Sequence, residues 1–176
     1  SVNVSALEFC QPDFVEKISQ LLHLHGLPAK WLELELNESI LLVHAQEASQ
    51  RLPALAALGV SLTIDDFGFG YSNLANLKQL SIRKLKIDQS LVRSLNSDVG
   101  SQAIVSTIVH LGQALCIDVV AKGVETKAQR AELKSLGCDY FQGYLCAPAL
   151  TPSAFDALLQ ERAVGSQLEV KPFQSM

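Results

Sequence analysis

Short β-rich runs alternate with amphipathic helical patterns along nearly all of this 176-residue chain, and that alternation restricts the fold more than any other feature. The predicted strands are Ser1–Ala6, Trp31–Asn37, Ser61–Phe67, Lys84–Asp88, Asp118–Val124 and Tyr140–Gln142. Between them, Phe14, Ile18, Leu21 and Leu22 share one helical face after a Pro12-Asp13 start, and Ile104, Val105, Ile108, Leu111 and Leu115 form a second stripe. Thr126-Lys127-Ala128-Gln129 has the form of a capping box, Gly137 is the expected stop of that helix, and Thr151-Pro152 opens the last one. Pro53 lies within the helical stretch from His44 to Leu58 and should kink or divide it. Repeated strand–helix units imply an α/β fold with a parallel sheet and helices outside it. A complete (β/α)8 barrel takes ~250 residues, or ~31 per unit. Six units in this length match that spacing with about two units absent. An open doubly wound sheet would accommodate six units equally well.

The polar residues favour the barrel. Side chains alternate across a strand with period two, so Glu33, Glu35 and Asn37 share one face while Leu32, Leu34 and Leu36 share the other. Lys84, Lys86 and Asp88 alternate with Leu85 and Ile87 in the same way, and Asp65 follows Thr63 across Ile64. Each of the six strands thus places a polar group near its C-terminal end: Asn3, Glu35, Asp65, Lys86, Lys122 and Gln142. One such strand could be a wet edge, but six wet edges cannot exist in one sheet. Buried charges in this number must be paired or hold cations. The C-terminal rim of a parallel barrel is where functional side chains collect. These residues are therefore predicted to line one site in a TIM-like (β/α)8 barrel, truncated at the N-terminus to about six units, over residues 1–164, with 165–176 as a tail.

Composition removes several function classes. A net charge of −4 argues against a grip on a nucleic acid polymer. No apolar run approaches the ~20 residues needed to span a bilayer, so no membrane segment is expected. Cys10, Cys116, Cys138 and Cys146 lack CxxC spacing and read as thiols in a reducing cytoplasm. Asn3, Glu35, Asp65 and Asp66 offer hard oxygen ligands suited to Mg2+ or Mn2+, and adjacent aspartates can divide two cations as in-line phosphodiester displacement requires. The four histidines are scattered and form no competing metal site.

Six motifs in order along the chain carry a family resemblance. Val2-Asn3-Val4-Ser5, Glu35-Leu36-Asn37-Glu38-Ser39, Asp65-Asp66-Phe67-Gly68-Phe69-Gly70-Tyr71-Ser72, Leu85-Lys86-Ile87-Asp88, Val120-Ala121-Lys122-Gly123-Val124-Glu125-Thr126 and Gln142-Gly143-Tyr144 resemble the strand-end motifs of the EAL family. That resemblance implies a TIM-like barrel that binds or hydrolyses cyclic di-GMP, using Mg2+ or Mn2+. It implies that Asn3, Glu35, Asp65 and Asp66 hold the metal pair and that Lys86 contacts the attacking water or the phosphate. It further implies that Glu125 belongs to the catalytic set, that Gln142 orients the site, and that Glu38 braces the loop Gly68 to Ser72. That loop in the family couples the site to a dimer partner. A homodimer or another signalling domain is the expected protein partner.

Four departures from the family pattern bear on activity. The Glu-Ala-Leu signature does not occur in this chain, and the two absent units are where it would lie. Lys122 stands where the family has the glutamate taken as general base; an ammonium among carboxylates stays protonated and has no acceptor. It is expected to pair with Asp65 or Glu35 where a metal would otherwise sit. Asn37 and Phe69 replace threonines, and Cys146-Ala147-Pro148 lacks a basic residue before the proline. The expected function is a non-hydrolytic cyclic di-GMP signalling domain acting in ligand binding or protein interaction. The alternative is a metal-dependent phosphodiesterase that yields linear pGpG.

Overall fold

The computed structural model describes residues 1–68, Leu77 and residues 80–165, the last five by backbone alone. The predicted loop beyond Gly68 and the tail beyond Gly165 lie outside the described residues.

Six strands form one parallel sheet: β1 (Val2–Val4), β2 (Glu33–Asn37), β3 (Ser61–Phe67), β4 (Lys84–Ile87), β5 (Asp118–Lys122) and β6 (Tyr140–Gln142). Their spatial order is their sequence order. A doubly wound sheet reverses direction at a switch point, so this strictly sequential winding is that of a barrel wall. The connections are helical: α1 (Ala6–Phe9), α2 (Phe14–Leu24), α3 (Glu38–Val43), α4 (Ala45–Ala57), α5 (Gln89–Ser94), α6 (Val99–Leu115), α7 (Lys127–Leu136) and α8 (Pro152–Gly165).

Four strands are shorter than the sequence pattern suggests. Trp31 belongs to a 3-10 turn over Ala29–Trp31 rather than to β2, and Gly123 ends β5 by turning to φ 70. The other two give up their C-terminal ends to a helix start: Ser5 and Ala6 in β1, Asp88 in β4. Ser5 caps α1 in a reciprocal capping box with Glu8, and Asp88 accepts from Ser90 N at 2.7 Å to cap α5. Strand exits thus double as helix starts, which satisfies the free N–H groups of the first turn at once. The predicted capping box at Thr126 and Gln129 is present, and Gly137 closes α7 in the left-handed conformation at φ 85.

Pro53 does not divide its helix; α4 runs through it from Ala45 to Ala57. Both Pro53 and Ser49, whose carbonyl loses its partner to the proline, are exposed, so water can serve that carbonyl. On the opposite face, buried Ala48, Leu52 and Leu55 hold the helix to the core.

The two faces of the sheet differ in chemistry. Leu34, Leu36, Leu62, Ile64, Leu85, Ile87, Val119 and Ala121 point outward under the helices and are buried. They meet Leu52 and Leu55 of α4, Leu91 and Val92 of α5, Val105, Ile108 and Val109 of α6, and Leu133 of α7 in one continuous core. Ile104, assigned to the buried stripe from its spacing, is 39% exposed, and Val109 takes its place. The other face carries Glu33, Glu35, Thr63, Asp65, Lys84, Lys86 and Lys122, with Thr63 wholly buried between ion-paired neighbours and its hydroxyl without a partner among the described residues.

Close approach of α6 to β5 requires a glycine. A Cβ at Gly112 would lie 2.3 Å from Val119 Cγ2 and 2.8 Å from the Ile117 carbonyl oxygen, and the latter is backbone that cannot step aside. Gly112→Ala is therefore expected to lower stability by roughly 1–3 kcal/mol through overpacking, read as a reduced urea midpoint.

Candidate functional site

The ionisable residues of the polar face are joined by ion pairs that each skip a strand. Glu33 of β2 meets Lys84 of β4 at 2.5 Å, and Glu35 of β2 meets Lys86 of β4 at 2.6 Å. One strand further on, Asp65 of β3 meets Lys122 of β5 at 2.7 Å. Alternate strands contribute to a common layer inside a barrel, which places β2 with β4 and β3 with β5. The middle pair is nearly sealed, its side chains 6% and 11% exposed.

Lys122 is the centre of the upper layer. Its ammonium donates to both oxygens of Asp65, at 2.7 and 2.8 Å, and to Asp66 Oδ1 at 2.7 Å. Three N–H groups thus meet three carboxylate oxygens. Consecutive residues in a regular strand face opposite ways, so both aspartates can reach one ammonium only if the strand is irregular. It is: the register of β3 against β4 shifts between Ile64 and Phe67, and Asp66 lies at φ 54. Aspartate tolerates this left-handed backbone better than a branched residue would.

Asn37 completes the arrangement. Its Nδ2 donates to Asp66 Oδ2 at 3.0 Å, while its Oδ1 accepts from Ser39 N at 2.9 Å and caps α3. The sequence places Asn37 on the polar face and marks it as a departure from a motif, but does not assign it this bridging role. The available signal was an N-cap residue directly before a helix that starts with Glu38. Glu38 is 3% exposed, and its carboxylate accepts from Gly68 N at 3.2 Å. This ties the start of α3 to the exit of β3.

The other predicted residues stand further apart. Asn3 is the register partner of Glu35 and Gln142 that of Lys122, so both are beside the cluster. Both are exposed, and among the described residues neither side chain hydrogen-bonds to it. Glu125 lies past the end of β5 and is exposed; its backbone N–H donates to Gln129 Oε1 at 2.9 Å in the cap of α7. Lys122 had been expected to pair with Asp65 or Glu35; it takes Asp65 and adds Asp66, while Glu35 is held by Lys86.

Within the cluster, Glu35 and Lys122 titrate away from their ordinary ranges. Burial raises the Glu35 carboxyl, but the hydrogen bond and charge of Lys86, with help from Ser1, outweigh it and leave the pKa lowered. Burial likewise works against the Lys122 ammonium, and its bonds to Asp65 and Asp66 overcome that and raise its pKa. The thiols take no part in the cluster. None of the four cysteines is in a disulfide, and burial pushes Cys138 up to about 11, which makes it a poor nucleophile.

A parallel sheet wound in sequence order, with charged side chains gathered toward the C-terminal ends of its strands, defines an α/β barrel protein with its site at the rim. The sequence profile of the EAL domain matches residues 1–149, and the chain belongs to that family. It is 43% identical over 145 residues to the bifunctional diguanylate cyclase/cyclic di-GMP phosphodiesterase MucR of Pseudomonas aeruginosa, covering 82% of this chain and 21% of MucR. The solved structure of the MucR phosphodiesterase in complex with cyclic di-GMP superposes with a TM-score of 0.85 at 41% identity, over 88% of this chain and 62% of that one. BlrP1 of Klebsiella pneumoniae, in a manganese and cyclic di-GMP complex, matches at 0.74 and 35% identity, over 82% of this chain and 37% of that one. The chain thus spans about a fifth of the length of MucR, and less than two thirds of either solved chain.

The residues as arranged do not fit a divalent cation. Among the described residues no three His, Cys, Asp or Glu side chains are grouped to ligate one. The oxygens that Asp65 and Asp66 could offer accept from Lys122 and Asn37 instead. An ammonium cannot share that seat with a cation. Among the described residues no helix is long and apolar enough to cross a membrane.

The pKa directions fix the pH dependence of stability. Glu35, depressed in the folded state, contributes above the unfolded carboxylate value of ~4.3, and its contribution is lost as pH falls through the folded one. Lys122, raised in the folded state, contributes below the unfolded value of ~10.4, and that is lost as pH climbs through the folded one. Urea midpoints are expected to form a plateau between these limits, and the alkaline fall should shrink in Lys122→Gln without vanishing, because the raised Cys138 thiol contributes a loss of the same sign. Lys86→Ala removes the partner of a carboxylate that is 6% exposed and is expected to cost roughly 3–5 kcal/mol by the same assay.

Proposed function

We propose that this chain is a cyclic di-GMP signalling domain that does not hydrolyse its ligand. The reading rests on one observation: Lys122, at the position where the family motif has a glutamate, is bonded to both aspartates of the upper layer. A general base needs a free lone pair near the operating pH, and a lysine whose pKa is raised has none. Loss of a positioned base typically costs ~10²–10⁴ in rate. Binding is supported by likeness to proteins whose structures contain cyclic di-GMP. It is supported also by charge. Glu35, Asp65 and Asp66 face Lys86 and Lys122, so the polar face carries one excess negative charge where a glutamate at position 122 would leave three. A doubly anionic cyclic dinucleotide meets far less repulsion at such a surface.

In this reading Lys86 is the phosphate contact. Among the described residues its ammonium donates to Glu35 alone, so two further N–H groups can serve a phosphate. Gln142 and Asn3, exposed beside the cluster, offer amides to the nucleotide. Glu38 passes the state of the site to α3 and the exit of β3 through Gly68. Output runs to a second copy of the domain or to another signalling domain.

The competing reading, a metal-dependent phosphodiesterase that releases linear pGpG, draws on the names of the relatives and on retention of Asn3, Glu35, Asp65, Asp66, Lys86 and Gln142. Calorimetry with cyclic di-GMP, first in EDTA and then in excess Mg2+, separates the two. The expected result is binding in EDTA, little change with Mg2+, and intact nucleotide recovered by chromatography. Formation of pGpG by the unaltered chain would overturn the proposal, and absence of any heat in both buffers would leave a protein-interaction domain.

A further inference from the structure

We infer that Thr63 seats a buried water molecule, and that this water joins the Glu33–Lys84 and Glu35–Lys86 ion pairs into one network on the inner face of the sheet. The site lies below the rim and is independent of the functional reading above.

Two ion pairs cross β3, one on each side of Thr63. Lys84 of β4 reaches over β3 to Glu33 at 2.5 Å, and Lys86 reaches over it to Glu35 at 2.6 Å. In the strand register Glu33 lies beside Ser61, while Glu35 and Lys84 flank Thr63 itself. All of these positions share the inner face. Thr63 therefore sits between the two crossings. It is 0% exposed, and its Oγ1 has no hydrogen-bond partner among the described residues. A buried hydroxyl left in that state costs free energy that a valine of the same shape would not.

A water at this place has the partners it needs. Buried waters make about three bonds to polar groups that the fold leaves unserved. The Thr63 hydroxyl can donate to the water or accept from it. Among the described residues the Lys84 ammonium donates to Glu33 alone, so further N–H groups can serve a water oxygen. Glu33 takes its lysine on Oε2 and Glu35 on Oε1, and a carboxylate has lone pairs for more than one donor. Interior sites that stay dry are lined by aliphatic side chains, whereas two carboxylates and two ammonium groups lie about Thr63. Through the water Lys84 reaches the carboxylate that holds Lys86, so the two pairs act as one unit.

The test combines a crystal structure of the unaltered chain with urea unfolding of Thr63→Val, which keeps the shape of the side chain and removes the hydroxyl. We expect an ordered water within hydrogen-bond distance of Thr63 Oγ1 and of at least one member of each ion pair. We expect the urea midpoint of Thr63→Val to fall by roughly 0.5 M or more. A hydroxyl with no partner of any kind gives the opposite sign, because valine then removes an unserved polar group without loss of packing. A midpoint unchanged or raised overturns the inference. So does a crystal in which Thr63 bonds to a protein atom instead, or in which no water touches it and both pairs. If Thr63→Val does not fold, the crystal structure decides alone.

Discussion

Charges on one face of the sheet must find partners two strands away, and this requirement organises the structure. A parallel strand staggers its neighbour, so the residue directly beside a carboxylate in register is not the one at its level in the interior. Glu35 reaches across β3 to Lys86, and Asp65 reaches across β4 to Lys122. Each such pair ties together three consecutive strands, including the one it passes over. The outward face needs no such device. Its aliphatic side chains gain from burial in any packing that excludes water, whereas the polar face is acceptable in only one register. A slip of one residue along β2 would turn Glu33 and Glu35 into the aliphatic core and expose Leu34 and Leu36.

Interior ion pairs are weak sources of net stability, because desolvation offsets most of their attraction. Their presence in β2 to β5 therefore asks for another reason than holding the sheet together. The function proposed above supplies one: in that reading, side chains that would be cheaper as leucine are kept polar at the rim to meet a ligand. Thr63 is a smaller case: a buried hydroxyl with no partner among the described residues sits between the Glu35 and Lys84 positions. Its surroundings are built around the charged layers and not around its own needs.

Much of this was legible in the sequence. Period-two alternation in Leu32 to Asn37 and in Lys84 to Asp88 identified the polar face, and the motifs placed one member on each strand. Singly wound order separated the barrel from the doubly wound alternative, and only coordinates could supply it. Strand ends were overestimated at Ala6 and Asp88 because capping residues are also plausible strand residues; the hydrogen bonds of Ser5 and Asp88 decide the matter. Pro53 was read by its local rule, and the rule yielded to tertiary packing of Leu52 and Leu55. Least visible was the joint reach of Asp65 and Asp66 to one ammonium. Pattern reasoning sends neighbouring strand residues to opposite faces, and nothing in the letters announces a bulge.

Asn37 holds a position with wider reach than its size suggests. One end of its amide begins α3, and the other ends on Asp66. The two functions share a single rigid plane, so rotation about one torsion cannot satisfy one bond and abandon the other by a small amount. Helix start and acidic pair are geared together. Any event that draws Asp66 toward a new partner must either twist the first turn of α3 or strip it of its cap, which converts a change of charge at the rim into a movement on the outer surface of the protein.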